Sequence, residues 1–354
     1  MTAKFHMDPI WLNHLQQSHA QYDAQGGVYF RTTQEEIHAA ATQNVLAVLQ
    51  GQGVIRASGD DAEAFLQGQF SNDVKALNIN QAQLTAWCSP KGRVLALLLL
   101  LRDESGYNLL LPRAIIANTL KRMRLFVLRS KVVLEDVSDQ FVCLGCAGAG
   151  IEQHLQQHFG AVPAAYRSQQ LAGVQLTRLP GCRPRFVIMG SVPAMINAWP
   201  SLSPSLSLVG DAAWQWLDIE SGMPAVLPGS VDEFVPQMLN LEILDAVNFK
   251  KGCYPGQEIV ARTHYLGKLK RRLYKLHSAD ATLPPTGTDI YNAHGDAQSI
   301  GKVILAQPAP SQGTDLLAVL QMESAPAGEL HLSHLSGPAL QVQTLPYPFE
   351  PKTP

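Results

Sequence analysis

The sequence lacks any hydrophobic run long enough to cross a membrane. Its longest aliphatic run, Val94 to Leu101, has 8 residues between Arg93 and Arg102, whereas a membrane-spanning helix needs about 20. The N-terminal segment also lacks the apolar core and the small-residue cleavage site of a secretory signal peptide. These absences favour a soluble, cytoplasmic protein in which the aliphatic run forms a buried β-strand.

Cysteine is scarce, and neither sign of charge dominates. The 354 residues include 5 cysteines, an odd number that favours free thiols in a reducing compartment over a disulfide scaffold. The 27 basic and 29 acidic residues give a net charge of −2, so no global field draws the chain to nucleic acid or to a membrane. Apolar residues make up 46% and charged residues 16%, which excludes a disordered or fibrous protein.

The length and the order of local patterns predict two or three domains, at roughly 100–200 residues each. Residues 1–40 are weakly periodic and form an N-terminal extension. Strand and helix patterns alternate over 41–262, with a second α/β unit at about 141–205 and a Pro/Ser-rich stretch, 202–208, typical of a linker. Short alternating runs between Pro and Gly clusters fill 263–354 and predict a small β-barrel or sandwich.

The segment FKKGCYPGQEIVAR, Phe249 to Arg262, concentrates residue types that carry chemistry. Pro255–Gly256 suits the central positions of a type II turn, because the second position needs a positive φ. Such a turn holds Cys253 on a tight loop, where the neighbouring Lys250 and Lys251 ammonium groups favour the thiolate and raise its reactivity. A lone cysteine can equally be a small core residue. The residues alone therefore leave both a functional thiol and a structural one open.

This segment resembles the signature of the YgfZ family of folate-binding proteins, whose hallmark is K-G-C-Y-x-G-Q-E. All 7 defined positions of that motif match here, from Lys251 to Glu258, with Pro255 at the free position. The stretches 65–74, 88–103 and 218–224 resemble further family landmarks in the expected order. The family is related to the T-protein of glycine cleavage, an aminomethyltransferase that uses tetrahydrofolate, and it includes a mitochondrial iron–sulfur assembly factor.

The resemblance implies an α+β, T-protein-like fold: a ring of three domains around a folate-sized hole, with a C-terminal β-barrel. It implies a tetrahydrofolate-binding accessory protein that supports assembly or repair of iron–sulfur enzymes, and thereby tRNA modification through the enzymes that methylthiolate tRNA. In this interpretation Cys253 is a thiolate nucleophile, a redox group or a transient ligand of an iron–sulfur cluster, and Lys251 tunes it. No resident metal site and no membrane partner are expected.

Glu220, in DIESGMP, resembles the glutamate with which T-protein recognises the pterin. A carboxylate can accept two parallel hydrogen bonds from the 2-amino group and the ring N–H of a pterin. Trp214 and Trp216 precede it and alternate as in a strand, so that only one of them would face a pterin. Asn72 and Asp73 match an Asn–Asp pair near the T-protein folate site. The other predicted cofactor-binding residues are Tyr254, Gly256, Gln257, Glu258 and Arg262.

One departure from T-protein bears on the reaction. T-protein carries a catalytic aspartate just after a Gly-Gly turn, but here the matching turn, Lys91 to Arg93, is followed by Leu95 and Ala96 at the corresponding positions. Neither side chain can position a reacting nitrogen or stabilise developing positive charge. We therefore do not expect aminomethyl transfer by the T-protein mechanism. A folate-dependent one-carbon transferase or demethylase remains an alternative, and whether the protein is an enzyme is left open.

Two basic stretches support a second alternative, an RNA-binding module. Neither stretch contains an acidic residue; their basic members are Lys121, Arg122, Arg124, Arg129 and Lys131, and Arg262, Lys268, Lys270, Arg271, Arg272 and Lys275. These cations could bind a folate polyglutamate tail or make a weak contact with tRNA phosphates, and Tyr265 and Tyr274 could stack on bases. A solvated basic surface that blocks strand-to-strand aggregation is an equally good interpretation.

Overall fold

The structure is a computed structural model that describes residues 7–24, 26–171, 173–181, 183–293, 298–325 and 329–348. The chain forms two compact units, each built from separate stretches. Unit 1 contains Met1–Asp60, Leu77–Gln83 and Leu100–Leu217, and unit 2 contains Asp61–Ala76, Leu84–Leu99 and Asp218–Pro354. The domain boundaries given above stay a prediction.

Helices and strands are mixed along most of the described chain. The α-helices there are α1 (Pro9–Gln17), α2 (Thr33–Thr42), α3 (Ala62–Gln67), α4 (Arg113–Arg124), α5 (Ile151–Phe159), α6 (Val192–Leu202), α7 (Asp211–Glu220) and α8 (Gln257–Tyr265). Short 3₁₀ helices span Val74–Ala76, Pro228–Ser230 and Pro236–Leu239. None of the helices in the described ranges is both long and apolar enough to cross a bilayer.

The strands in the described ranges number nineteen. They are β1 (Gln21–Tyr22), β2 (Val28–Tyr29), β3 (Val45–Val48), β4 (Gln52–Ser58), β5 (Ala82–Cys88), β6 (Val94–Asp103), β7 (Gly106–Pro112), β8 (Val133–Asp136), β9 (Phe141–Ala147), β10 (Ser168–Leu171), β11 (Val174–Arg178), β12 (Arg185–Ser191), β13 (Ser207–Val209), β14 (Arg271–Ser278), β15 (Asp289–Asn292), β16 (Gly301–Pro308), β17 (Thr314–Gln321), β18 (Leu330–Leu332) and β19 (Ala339–Gln343).

A six-stranded sheet in unit 1 has the order β10-β11-β12-β9-β3-β13. Helices α1, α5 and α6 supply Trp11, Leu155 and Met195 to a core that includes Leu144 and Phe186 of the sheet. The interpretation of 202–208 as a linker is wrong, because β13 pairs in parallel with β3. Its Val209 is buried, so the Pro/Ser composition marks only the turn before an edge strand.

The long aliphatic run forms β6, which is buried from Val94 to Leu101 as predicted. It belongs to a five-stranded sheet of order β5-β6-β7-β4-β8. A strand that is apolar at every position has both faces covered, which explains why this run does not alternate. The prediction of a buried strand is confirmed.

The C-terminal part of unit 2 is a closed barrel of order β14-β17-β16-β15-β18-β19. Closure comes from antiparallel pairing of β14 with β19, in which Leu276 lies opposite Val342. The barrel interior contains Leu276, Val303, Leu316, Leu320 and Leu330, all fully buried or nearly so. The predicted C-terminal β-barrel is confirmed, and closure leaves no unpaired strand edge.

Residues 211–220 form helix α7, so the strand inferred from the alternation of Trp214 and Trp216 is wrong. Both tryptophans are buried although they lie on different sides of the helix. The ring of Trp214 lies against Gly145 of β9, where an added Cβ would come within 2.4 Å of it. A helix that is covered on more than one side loses the one-sided pattern that identifies it in a sequence.

Candidate functional site

The loop that carries Cys253 ends in the predicted turn. Gly256 has φ 77° and ψ 4°, and the Gln257 N–H donates to the Tyr254 carbonyl at 3.2 Å. These are the values of a type II turn with glycine at its third position. Gly256 is also the N-cap of α8. The turn prediction is confirmed, and it places Cys253 immediately before a helix.

A second glycine turn, Ser89 to Gly92, packs directly against this one. The Gly92 N–H donates to the Ser89 carbonyl at 2.8 Å. A Cβ added to Gly256 would lie 2.3 Å from the Ser89 carbonyl oxygen and 2.6 Å from the Gly92 Cα. The two backbones are therefore too close for a side chain at Gly256, and this contact fixes the loop on the turn between β5 and β6.

Cys253 is exposed, whereas Cys88, Cys143 and Cys146 are buried. Burial raises the pKa of the Cys88 and Cys143 thiols to about 12 each, so they are protonated and inert near neutral pH. Cys182 lies outside the described residues. Among the cysteines that the structure describes, Cys253 alone has an exposed thiol.

Lys251 anchors the Cys253 loop through hydrogen bonds to main-chain carbonyls. It is only 7% exposed, and its Nζ donates to the carbonyls of Gln67 and Phe70 at 2.5 Å each. Gln67 ends α3, where main-chain carbonyls have no partner inside the helix. The ammonium also lies 5.1 Å from the centre of the Tyr254 ring, a favourable cation–π distance.

Burial of the Lys251 ammonium destabilises its charged form. Burial lowers the pKa of its ammonium to about 8, while the nearby Asp73 carboxylate and Cys253 thiol act in the opposite direction. Lys251 is thus within electrostatic range of the thiol. Its hydrogen bonds go to main-chain carbonyls, however, and these bonds anchor the loop. The proposed tuning of Cys253 stays a prediction.

The Asn72–Asp73 pair lies beside the end of α3. Asn72 is buried, and its Nδ2 donates to the carbonyls of Leu84 at 2.9 Å and Asp245 at 2.6 Å. The Asp73 Oδ1 accepts from Gln67 Nε2 at 3.0 Å. Both amide hydrogens of Asn72 are therefore used inside the protein. The ligand role that the resemblance implies for the pair stays a prediction.

Glu220 is the last residue of α7. It pairs with Lys275, which the sequence alone places in a basic stretch that could bind polyanions. The Glu220 Oε1 forms an ion pair with the Nζ of Lys275 on β14. The Lys275 side chain is 10% exposed and that of Glu220 is 26% exposed. The carboxylate therefore stays within reach of a ligand while the ammonium is almost covered.

The segment that follows Glu220 is held by the end of the chain. Gly222 has φ 62°, and its carbonyl accepts a hydrogen bond of 2.7 Å from the Tyr347 hydroxyl. A Cβ on Gly222 would come within 2.6 Å of the Tyr347 ring. Asn240 donates to the same hydroxyl at 3.4 Å. The glycine of DIESGMP is thus required by a close approach.

The basic stretch Arg262 to Lys275 is not one continuous surface. Lys275 is paired with Glu220, and Arg272 forms a buried ion pair with Glu242 at 2.8 Å. Tyr274 packs against the barrel core and does not offer a free ring to a base. The exposed basic and aromatic residues of the stretch are Arg262, Tyr265, Lys268 and Lys270. The alternation of residues along β14 could have shown which side chains share a face of the strand. It could not have shown that Glu242 and Glu220 pair with Arg272 and Lys275.

The other predicted contacts are divided between the loop and α8. Tyr254 is buried, which raises the pKa of its hydroxyl. Gln257 is half-buried at the start of α8, and Glu258 and Arg262 are exposed one turn apart. Phe249 stacks on His264, with ring centres 3.8 Å apart and an interplanar angle of 12°. This stack, which the sequence analysis missed, ties the start of the loop to the end of α8.

The residues at the T-protein catalytic positions are part of the core. Leu95 and Ala96 lie on β6 and are 4% and 0% exposed. A resident iron–sulfur cluster does not fit either, since no group of three or more His, Cys, Asp or Glu side chains in the described residues is arranged to hold a metal. A folate does fit the donor set, because the Glu220 carboxylate is ionisable, partly exposed and bound to a protein cation through one oxygen.

The fold places the chain in a known structural class. The crystal structure of glycine cleavage system aminomethyltransferase T from Bartonella henselae superposes with a TM-score of 0.77 over 97% of this chain and 98% of that one, at 18% sequence identity. The family model described as GCVT N-terminal domain matches residues 12–183. The protein therefore has the T-protein fold, as predicted.

Sequence relatives identify the family within that class. The chain is 31% identical to a protein of Colwellia psychrerythraea, over 89% of this chain and 98% of the relative. It is 32% identical to a protein of Edwardsiella ictaluri, over 83% and 89%. Both relatives are named tRNA-modifying protein YgfZ. The chain belongs to the YgfZ family.

Replacing Gly256 by alanine should destabilise the loop, because φ 77° is strained for alanine and the new methyl meets the Ser89 carbonyl. We expect the midpoint of thermal unfolding to fall by about 2–4 °C for each kcal/mol of strain, the scale for a folding unit of this size. Gly252→Ala is the matched control, since a Cβ there meets nothing within 4 Å. Equal midpoints for the two variants, measured by calorimetry, would contradict the packing described here.

Lys251 should make stability depend on pH above neutrality. Its folded pKa of about 8 lies below its ordinary value of 10.5, so the folded state binds fewer protons between these values and stability rises with pH there. The stability of wild type relative to Lys251→Met should be constant below about pH 7 and rise by up to about 3 kcal/mol towards pH 10.5. Urea unfolding at each pH tests this. A flat difference for Lys251→Met would show that the amine does not titrate in this range.

Proposed function

We propose that the protein is a tetrahydrofolate-binding accessory protein that supports iron–sulfur enzymes and thereby tRNA modification and processing. The observation that carries the proposal is the exposed Cys253 thiol, held on a loop by Lys251 and by two packed glycine turns. The names of the relatives, tRNA-modifying protein YgfZ, support the biological role, and the T-protein fold supports the folate.

In this proposal Glu220 holds the pterin. A carboxylate accepts hydrogen bonds from the 2-amino group and the ring N–H of the ligand with charge assistance. The exposed part of the Glu220 side chain supports this role, since a carboxylate covered on all sides could not receive a ring. The residues Asn72, Asp73, Tyr254, Gly256, Gln257, Glu258 and Arg262 would shape or line the remaining folate site.

Cys253 supplies the reactive group. Its thiolate can attack an electrophile, exchange with a disulfide or serve as one ligand of a cluster whose other ligands belong to a client enzyme. The structure shows no second exposed cysteine among the described residues, and in this proposal the other ligands of the cluster come from the client. The proposed clients are iron–sulfur enzymes, including those that methylthiolate tRNA, and the proposed setting is the cytoplasm.

The two alternatives are less well supported. A one-carbon transferase of the T-protein type needs an acid where this chain has the buried Leu95 and Ala96. Lys121 and Arg129 of the first basic stretch are exposed. In the second stretch an RNA-binding module would have to use Arg262, Lys268 and Lys270, because Arg272 and Lys275 are engaged in ion pairs. The exposed Tyr265 beside these three cations could stack on a base and favours a weak tRNA contact.

Glu220→Gln should weaken tetrahydrofolate binding by about 10- to 100-fold, since charge-assisted hydrogen bonds to the pterin are lost. Isothermal titration of the purified full-length protein under anaerobic conditions measures the affinity. Glu233→Gln, at an exposed position of the same unit, is the control and should bind as wild type does. Equal affinities for wild type and Glu220→Gln would remove Glu220 from the site.

Cys253→Ala should fail to restore methylthiolated tRNA in a deletion strain, because the thiol supplies the reactive group. Mass spectrometry of tRNA nucleosides measures the modification. Cys143→Ala, which replaces a buried thiol, should restore it at equal expression. If Cys253→Ala also restores the modification, the thiol is not required, and the folate site or the basic surface must carry the function.

A further inference from the structure

The pairing of Glu220 with Lys275 is asymmetric. The ammonium is almost fully covered on β14, whereas the carboxylate keeps about a quarter of its surface exposed. Within the described residues Lys275 has no other charged partner. A ligand that binds Glu220 therefore contacts a carboxylate whose charge is already balanced by the Lys275 ammonium.

Both the Glu220 carboxylate and the Lys275 ammonium need an opposite charge. Glu220 is the last residue of α7, where the negative end of the helix dipole opposes a carboxylate. Lys275 is fixed in the barrel wall, opposite Leu317 on one side and Gln343 on the other, where an unpaired ammonium would be costly. Each group thus compensates the other, and their separation is set by the barrel strand.

We propose that Lys275 is a specificity-determining residue of the pterin site: by neutralising Glu220, it makes the site select a neutral hydrogen-bond donor over a cationic one. The inference rests on the proposed function, in which Glu220 binds the pterin. The selected class is the 2-amino-4-oxopteridine ring of folates. The rejected class is the protonated 2,4-diaminopteridine ring.

The selection follows from electrostatics. An isolated carboxylate in a partly buried site attracts a cation strongly, and it therefore favours a protonated diamino ring. A carboxylate that already holds an ammonium attracts a second cation less, because Lys275 repels that cation. A neutral ring donates its two N–H groups without that repulsion. The protein cation therefore sets the charge that the ligand can carry.

A purely structural role of Lys275 would give a different result. If Lys275 only oriented Glu220, its loss would weaken both classes of ring to a similar extent. If it determines specificity, its loss weakens the neutral ring and strengthens the cationic one relative to it. The ratio of the two dissociation constants separates these cases, because general loosening of the site cancels in the ratio.

The test uses the full-length protein with tetrahydrofolate and tetrahydroaminopterin, which differ only in the 4-oxo or 4-amino group. Dissociation constants are measured anaerobically, at a pH at which the diamino ring carries a proton. Wild type should prefer tetrahydrofolate. Lys275→Met should shift the ratio of dissociation constants by about tenfold or more towards the diamino compound, and Lys275→Arg should keep the wild-type ratio.

Two further variants make the result decisive. Lys275→Gln keeps a hydrogen-bond donor but removes the charge, so it should shift the ratio even if Lys275→Met does not fold. Lys302→Met breaks an exposed ion pair with Asp289 in the same barrel and should leave the ratio unchanged. An unchanged ratio in a folded Lys275→Gln or Lys275→Met protein overturns the inference but leaves the proposed function standing. If wild type binds neither compound, the proposed folate function itself is wrong.

Discussion

The buried ammonium of Lys251 is the interaction on which the thiol loop depends. It joins the motif segment to the main-chain carbonyls of Gln67, at the end of α3, and of Phe70, just beyond it. The Gln67 carbonyl has no partner inside the helix. An exposed lysine could not do this, since water would compete for its protons. Because the base of the loop is fixed in this way, Cys253, two residues further along, can be exposed and still have a defined position.

Strand β14 plays the corresponding part for the carboxylate side of the site. It supplies Arg272 to Glu242 and Lys275 to Glu220, so one strand of the barrel forms ion pairs with the end of α7 and with a separate segment of unit 2. The Tyr347 hydroxyl adds a hydrogen bond to the segment after Glu220. The barrel thus orients residues of unit 2 that precede it in the chain, Glu220 and Glu242.

Local constraints made part of this structure predictable. The turn at Gly256 follows from the demand for a positive φ, and the barrel follows from short alternating strands. Features that depend on distant partners were not predictable. The burial of Lys275 needs Glu220, the strand after the Pro/Ser stretch needs β3, and α7 is covered on several sides, so its tryptophans look like a strand pattern. A cation beside a distant acid gives no periodic signal in a sequence.

The distribution of thiols limits what oxidation can do to this protein. The described cysteines comprise one exposed thiol and three buried ones, so Cys253 has no accessible partner among them. None of the three buried thiols can resolve a sulfenic acid or disulfide at Cys253, whereas an external thiol, such as glutathione or a cysteine of another protein, can. The redox state of the loop is in this way coupled to the thiol pool around the protein, and a mixed disulfide is the natural form in which a partner could be trapped.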